Sequence, residues 1–71
     1  MPEINLIAVK CPLNFVKAKL ALEKLEKGQI LKIILALGEA SETVPKSLIA
    51  EGYEIIESDL AESHLEIKVK V

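Results

Sequence analysis

The eight residues from Ile30 to Leu37 are aliphatic except for Lys32, and in a chain of 71 residues such a run has to lie at the centre of whatever forms. A nearly continuous apolar stretch of this length, closed by Gly38, reads as a central strand covered on much of both faces. The chain is near the lower size limit at which one apolar core holds a fold unaided. It cannot rely on an internal disulfide, because it has a single cysteine. Hydrophobic residues make up 51% of the composition and aromatic residues only 3%, so Leu, Ile, Val and Ala must build the interior.

The flanking segments define the rest of the architecture. Residues 3–9 are short and β-rich, between Pro2 and a Cys-Pro pair, and read as a first strand. From Pro12 to Lys27, Phe15, Ala18, Leu22 and Leu25 recur at three- and four-residue steps, the spacing of one helix face, with Gly28 as the stop signal. A short second helix follows the central strand. Ser41 or Thr43 is its expected cap, Pro45 falls in its first turn, Leu48 and Ile49 face inward, and Gly52 ends it. Tyr53 to Glu57 reads as a third strand, with Tyr53 anchoring its start. In His64 to Val71, Leu65, Ile67, Val69 and Val71 alternate with His64, Glu66, Lys68 and Lys70, the pattern of a strand with one wet face.

The order is therefore β-α-β-α-β-β. A right-handed crossover makes the first two strands parallel, and a short turn pairs the last two antiparallel. The expected fold is α+β, a two-layer sandwich with a mixed four-stranded sheet and two helices on one face. It forms a single domain over residues 1–71, with no repeat or linker.

Charge excludes several functions. The net charge of −2 and the absence of arginine argue against a nucleic-acid-binding surface. No apolar stretch approaches the length of a membrane span. A chain with one cysteine and no leader pattern is expected in a reducing cytoplasmic compartment. Residues 1–27 hold five lysines against three glutamates, while the remainder holds four lysines against eight acids, so any basic patch lies around the first helix.

The strongest chemical feature is Cys11. Proline is favoured at the first helical position, so Cys11-Pro12 before a periodic apolar run puts the sulfur at the helix N-cap. Unpaired N–H groups and the positive end of the helix dipole there favour thiolate, the reactive form. A small thiol is also a common buried core residue, and by itself the Cys-Pro pair leaves both readings open.

The segment Cys11-Pro12-Leu13-Asn14, the following Phe15-Val16-Lys17-Ala18-Lys19-Leu20-Ala21-Leu22, then Gly28, Val44-Pro45 and Gly52-Tyr53-Glu54 resemble the TusA/SirA family of small sulfur-carrier proteins. The likeness runs over about residues 4–71 without gaps. The family motif is Cys-Pro-x-Pro; here its second proline is Asn14, a glycine three residues before the cysteine is Ala8, and the family's acidic positions near the end of the second strand are Ala36 and Leu37. The resemblance implies a sandwich similar to the C-terminal domain of translation initiation factor three. It also implies a role: Cys11 takes sulfane sulfur from a cysteine desulfurase or a rhodanese-type donor, holds it as a persulfide and passes it to an acceptor protein. Family recipients serve tRNA thiolation, cofactor assembly or sulfur metabolism.

Two further expectations concern the first helix. With Pro12 and Leu13 as its first two residues, Asn14 is the third, and its backbone N–H would be a donor to the Cys11 sulfur that a proline could not supply; otherwise Asn14 sits in a solvated first turn. Leu13, Val16 and Leu20 form a second apolar stripe away from the core face, beside Lys17, Lys24 and Lys27. That stripe either packs on the second helix or docks a partner through Val16, Lys17, Leu20 and Lys24. His64 reads as a solvated histidine, and one cysteine with one histidine falls short of a metal site, so neither metal nor cofactor is expected. The expected partners are a sulfur donor and a sulfur acceptor, with no nucleic acid and no membrane. A homodimer could use the open sheet face if Ile7 or Ile34 is exposed there. Two rival readings are a non-catalytic interaction module and a redox sensor acting through Cys11.

Overall fold

The structure is a computed structural model that describes residues 2–10 and 13–71. Its elements are β1 (Glu3–Asn5), α1 (Leu13–Glu23), β2 (Ile30–Ala36), α2 (Glu39–Ala50), β3 (Glu54–Leu60) and β4 (His64–Lys70). The sheet order is β1-β2-β4-β3, with β1 parallel to β2 and both β2–β4 and β3–β4 antiparallel. The α+β sandwich and the mixed four-stranded sheet are those expected.

Strand β2 is central, but only one of its faces is sealed. Leu31, Ile33 and Leu35 are buried and alternate with partly exposed Ile30, Lys32, Ile34 and Ala36. The apolar run is continuous because the outer face of a small one-sided sheet still tolerates aliphatics between charged neighbours. In β4, Leu65, Ile67 and Val69 point the same way, opposite Leu35, Ile33 and Leu31. Ala18 and Leu22 of α1 and Val44 and Leu48 of α2 complete the core on that face.

Several boundaries differ from expectation. Strand β1 stops at Asn5, not residue 9, because the Asn5 side-chain oxygen accepts the N–H of Ile7 at 3.0 Å and Val9 N–H reaches back to Leu6 O at 3.1 Å. Such an Asx turn diverts the chain from the sheet. Helix α1 ends at Glu23, short of Lys27. Leu25 N–H bonds to the Leu22 carbonyl three residues back, and the Gln29 side chain accepts the N–H of Glu26 at 2.8 Å, closing a separate turn around Gly28.

Helix α2 begins at Glu39 after Gly38, with no side-chain cap. Ser41 and Thr43, the expected caps, instead donate their hydroxyls to the carbonyls of Gly38 and Glu39 inside the helix. Pro45 consequently lies past the first turn. Val44 and Leu48 take the inward positions one turn apart, and Ile49, expected inside, is exposed. The helix closes on Gly52 (φ +96°): Tyr53 N–H bonds to Leu48 O and Gly52 N–H to Ile49 O, a Schellman end. Strand β3 runs three residues beyond its expected end, to Leu60, with a bulge between Ile55 and Glu57 that keeps Ile55 inward while the outer end of this edge strand stays exposed.

The uncovered face carries a ladder of charge. Lys32 reaches Glu66 at 2.7 Å and Glu3 at 3.5 Å, and Lys68 pairs with Glu57 at 3.0 Å. His64 Nε2 donates to Glu66 at 2.9 Å in the tautomer whose Nδ1 accepts from the Ser63 hydroxyl. Ile34 sits between Asn5 and Glu66 on this face, and Ile7 stands in the turn beyond β1, off the sheet.

The hydrogen bond from Lys32, aided by His64, holds the Glu66 carboxyl below its ordinary 4.5, and the same bond raises Lys32 above 10.5. The depressed carboxyl contributes stability that is present above pH 4.5 and lost as pH falls through the folded value. The raised ammonium contributes below pH 10.5 and loses its contribution as pH climbs through its folded value. Carbon-detected NMR titration of Lys32→Met is expected to show Glu66 returning toward 4.5, with a shallower loss of stability on acidification below that pH; an unmoved Glu66 titration would refute the pairing.

Candidate functional site

Parallel β1 and β2 both run toward one end of the sheet, and β4 starts there, since Ala36 faces His64. The loops 6–10, 37–38 and 61–63 therefore gather at that end, where both helices begin. Cys11 and Pro12, the expected sulfur-bearing pair, lie outside the described residues, and the site is built from the chain on either side of them. On the approach, Leu6 is buried and its N–H donates to Ile34 O at 2.8 Å, so the sheet tethers the loop four residues before the last described position, Lys10. On the exit, Leu13 opens α1 and stands exposed.

Asn14 corrects both expectations for it. Its backbone N–H donates to the Lys10 carbonyl at 3.1 Å, in the helical four-residue pattern, so this N–H is not free for a sulfur. Nor is Asn14 solvated: it is 0% exposed, the one buried polar residue among those described, in line with Ala18 and Leu22. Its Oδ1 accepts the N–H of Phe15 at 2.7 Å, and its Nδ2 has no partner. The sequence held the signal for this burial, since residues 14, 18 and 22 repeat at the four-residue step of the core face.

The two helix starts differ in charge. Glu39 and Glu42 lie in the first turn of α2 and complement its dipole, whereas the first turn of α1 carries no acid. The N-terminal end of α1 is left electropositive by its own sequence, and Lys10 and Lys17, both exposed, add to it.

The second apolar stripe of α1 is open to solvent. Leu13 is 52% exposed, Val16 43% and Leu20 52%, with Lys17 beside them and Lys24 just past the helix end. The expectation that this stripe packs on α2 fails. Both helices lie side by side on one sheet face, so residues pointing directly away from the sheet meet neither the core nor the other helix. The helices are joined at their flank by an ion pair between Lys19 and Glu51, which raises the Lys19 pKa above its ordinary value. Ile7, Leu37 and Leu60, also exposed, lie at the end of the molecule where α1 begins. Sequence periodicity did not single out Leu37 and Leu60, because each ends or follows a strand whose partners leave it uncovered.

Comparison with known proteins gives the class. The sequence model of the family described as sulfurtransferase TusA matches residues 2–71, so the chain belongs to the TusA family. It is similar to a putative sulfur carrier protein of Archaeoglobus fulgidus, 39% identical over 46 residues, which are 65% of this chain and 52% of that protein. The chain thus spans about half the length of that curated relative. Among solved structures, a SirA-like protein from Desulfitobacterium hafniense superposes with TM-score 0.82 over 100% of this chain and 97% of that one at 22% identity. A Helicobacter pylori protein solved in solution superposes with TM-score 0.74 at 15% identity, covering 99% and 96% of the two chains. At these identities the structures speak for the fold.

Since Val16 and Leu20 make no core contact, Val16→Gln and Leu20→Gln are expected to alter stability by no more than about 0.5 kcal/mol. Leu22→Ala, on the opposite face, should cost about 2–5 kcal/mol. Urea denaturation of the three variants distinguishes an exposed stripe from a packed one.

Proposed function

We propose that this protein is a sulfur carrier in which Cys11 accepts sulfane sulfur as a persulfide and relays it to a partner enzyme. The observation that carries the reading is the lone cysteine placed immediately ahead of α1, a helix whose first turn has no acid to neutralise its positive end, in a chain of the TusA family.

The chemistry balances without an added oxidant or reductant. The Cys11 thiolate attacks the outer sulfur of a donor persulfide; a new S–S bond forms, the donor S–S bond breaks, and its electron pair leaves on the donor thiolate. An acceptor thiolate then attacks the outer sulfur of Cys11–SSH and releases the Cys11 thiolate unchanged. What the carrier must supply is a sulfur that is ionised near neutral pH and two partners' access to it. The donor is a cysteine desulfurase or a rhodanese-type protein, and the acceptor is a second protein thiol.

Docking falls to the exposed face of α1. Val16 and Leu20 supply apolar contact, and Lys17 and Lys24 steer an acidic rim on the partner. Leu13 continues the stripe to the first described residue of α1. The cytoplasm is the compartment in which such a thiolate stays reduced.

Incubation with a cysteine desulfurase and cysteine, followed by intact-mass measurement, is expected to show the gain of one sulfur that dithiothreitol removes, and Cys11→Ser to show none. A dimer mass or an unchanged mass would overturn the relay. Reversing charge at Lys17 together with Lys24 is expected to slow transfer about tenfold at low salt while leaving the fold intact; transfer kinetics equal to wild type would remove these residues from the docking face.

A further inference from the structure

The sheet has one long free edge. In the order β1-β2-β4-β3, strand β3 has a neighbour only on its β4 side, and it runs for 7 residues against 3 in β1 at the opposite edge. Hydrogen bonds elsewhere in the sheet fix which of its backbone groups are unpaired. Lys32 N–H donates to Pro2 O and Leu6 N–H donates to Ile34 O, so Lys32 and Ile34 address β1, and their β4 partners Lys68 and Glu66 address β3. Ala61 N–H, donating to His64 O at 2.9 Å, sets the same phase from the turn. Glu57 and Asp59 therefore spend their backbone groups on Lys68 and Glu66, while the N–H and C=O of Ser58 and Leu60 point off the sheet.

The two faces of this edge differ in chemistry. The side chains of Ser58 and Leu60 lie on the helix side, opposite Ile67 and Leu65, yet no helix covers them: Ser58 is exposed and Leu60 is 72% exposed, although Ile67 and Leu65 are buried. Glu57 and Asp59 stand on the other face, where Glu57 meets Lys68. Between Lys46 and Lys68 the sequence holds Glu51, Glu54, Glu57, Asp59, Glu62 and Glu66 and no lysine. Glu54, Asp59 and Glu62 form no ion pair among the described residues. The free edge is thus acidic on one face and apolar on the other.

That charge decides what can pair with it. A second copy is the wrong partner, because joining two β3 strands antiparallel through Ser58 and Leu60 sets Asp59 opposite Asp59, or in the neighbouring register Glu57 opposite Asp59, and opposed like charges destabilise a sheet. Acids on an edge strand ordinarily keep copies apart. Here they also select by sign. We infer that β3 accepts an extended segment of a partner protein as a fifth strand, and that this segment alternates basic and aliphatic residues. Its backbone bonds to Ser58 and Leu60, its cations lie along Glu57, Asp59 and Glu62, and its aliphatic side chains continue the helix-side layer beside Leu60. This edge belongs to a different element from the α1 stripe, and the inference stands whether or not the chain carries sulfur.

A synthetic peptide alternating lysine and valine, titrated into the full chain at low salt and followed by amide NMR and hydrogen exchange, tests it. The Ser58 and Leu60 amides are expected to shift and to gain protection, while Glu57 and Asp59, already bonded to β4, keep theirs; no protection at Ser58 and Leu60 overturns the inference. A peptide of the same composition with its lysines in one block and its valines in another is expected to bind at least about tenfold more weakly, since it keeps the charge and loses the alternation. Equal binding of the two would leave charge attraction alone and overturn strand addition. Asp59→Lys with Glu62→Lys is expected to weaken binding of the alternating peptide about tenfold, and unchanged affinity overturns the assigned face. Ser58→Pro removes an N–H that β4 does not use, so it should melt near wild type yet lose the peptide; should it fail to fold, exchange protection in the wild type decides alone. Sedimentation of the free protein is expected to give a monomer, and a dimer that protects the same two amides would assign the edge to a second copy and overturn the proposal.

Discussion

Burial of one face of β2 is the constraint on which the rest of this molecule depends. Leu31, Ile33 and Leu35, together with Leu65, Ile67 and Val69 from β4, are nearly all the sheet contributes to the interior, and two helices have to cover them. With so few residues there is no second layer of helices to cover the other face. The protein instead makes that face soluble with Lys32, Glu3, Glu66, Lys68 and Glu57 in cross-strand pairs, which also discourage edge-to-edge association. Each such surface pair adds little on its own. Their arrangement matters more than their sum, because it sets the charge of Lys32 between the partly exposed Ile30 and Ile34.

That one-sidedness also decides where chemistry can sit. Parallel β1 and β2 deliver the chain to the same end of the sheet twice, and each time a helix starts there. Only the first of these starts lacks acids and follows a cysteine. The approach to it is fixed by backbone rather than by side-chain luck, with Leu6 bonded into the edge of β2 and buried, and the Asn5 side chain turning the chain out of the sheet one residue later.

Much of the fold was legible because its signals are strong: the aliphatic run of β2, the alternation of β4, the three- and four-residue steps of Phe15, Ala18, Leu22 and Leu25, and the glycines after each helix. What sequence reading missed has local causes. Asn5 ended β1 early through a side-chain turn that competes with strand ladders, and Ser41 and Thr43 turned their hydroxyls inward to helix carbonyls instead of capping. At the site, the four-residue step of residues 14, 18 and 22 pointed to a buried Asn14, while the bond its side chain makes to Phe15 N–H was not readable. A polar residue on a core face defies the binary pattern, and such local conflicts are where functional constraint tends to override packing.

Helix α1 is apolar on two opposite faces, and the contrast between them bears on how a carrier works. The inner face buries Ala18 and Leu22 completely and has no freedom to change. The outer face offers only Leu13, Val16 and Leu20, a narrow stripe edged by lysines. Three half-exposed aliphatic side chains cannot sustain a long-lived complex, since stable interfaces bury roughly 1,200–2,000 Å² in total. On the relay reading that weakness is useful: a carrier that held its donor tightly would never reach its acceptor. Lysines around the stripe speed encounter without greatly slowing release, because long-range charge acts chiefly on association. The same surface can then serve donor and acceptor in turn, provided each presents an acidic rim around its own sulfur.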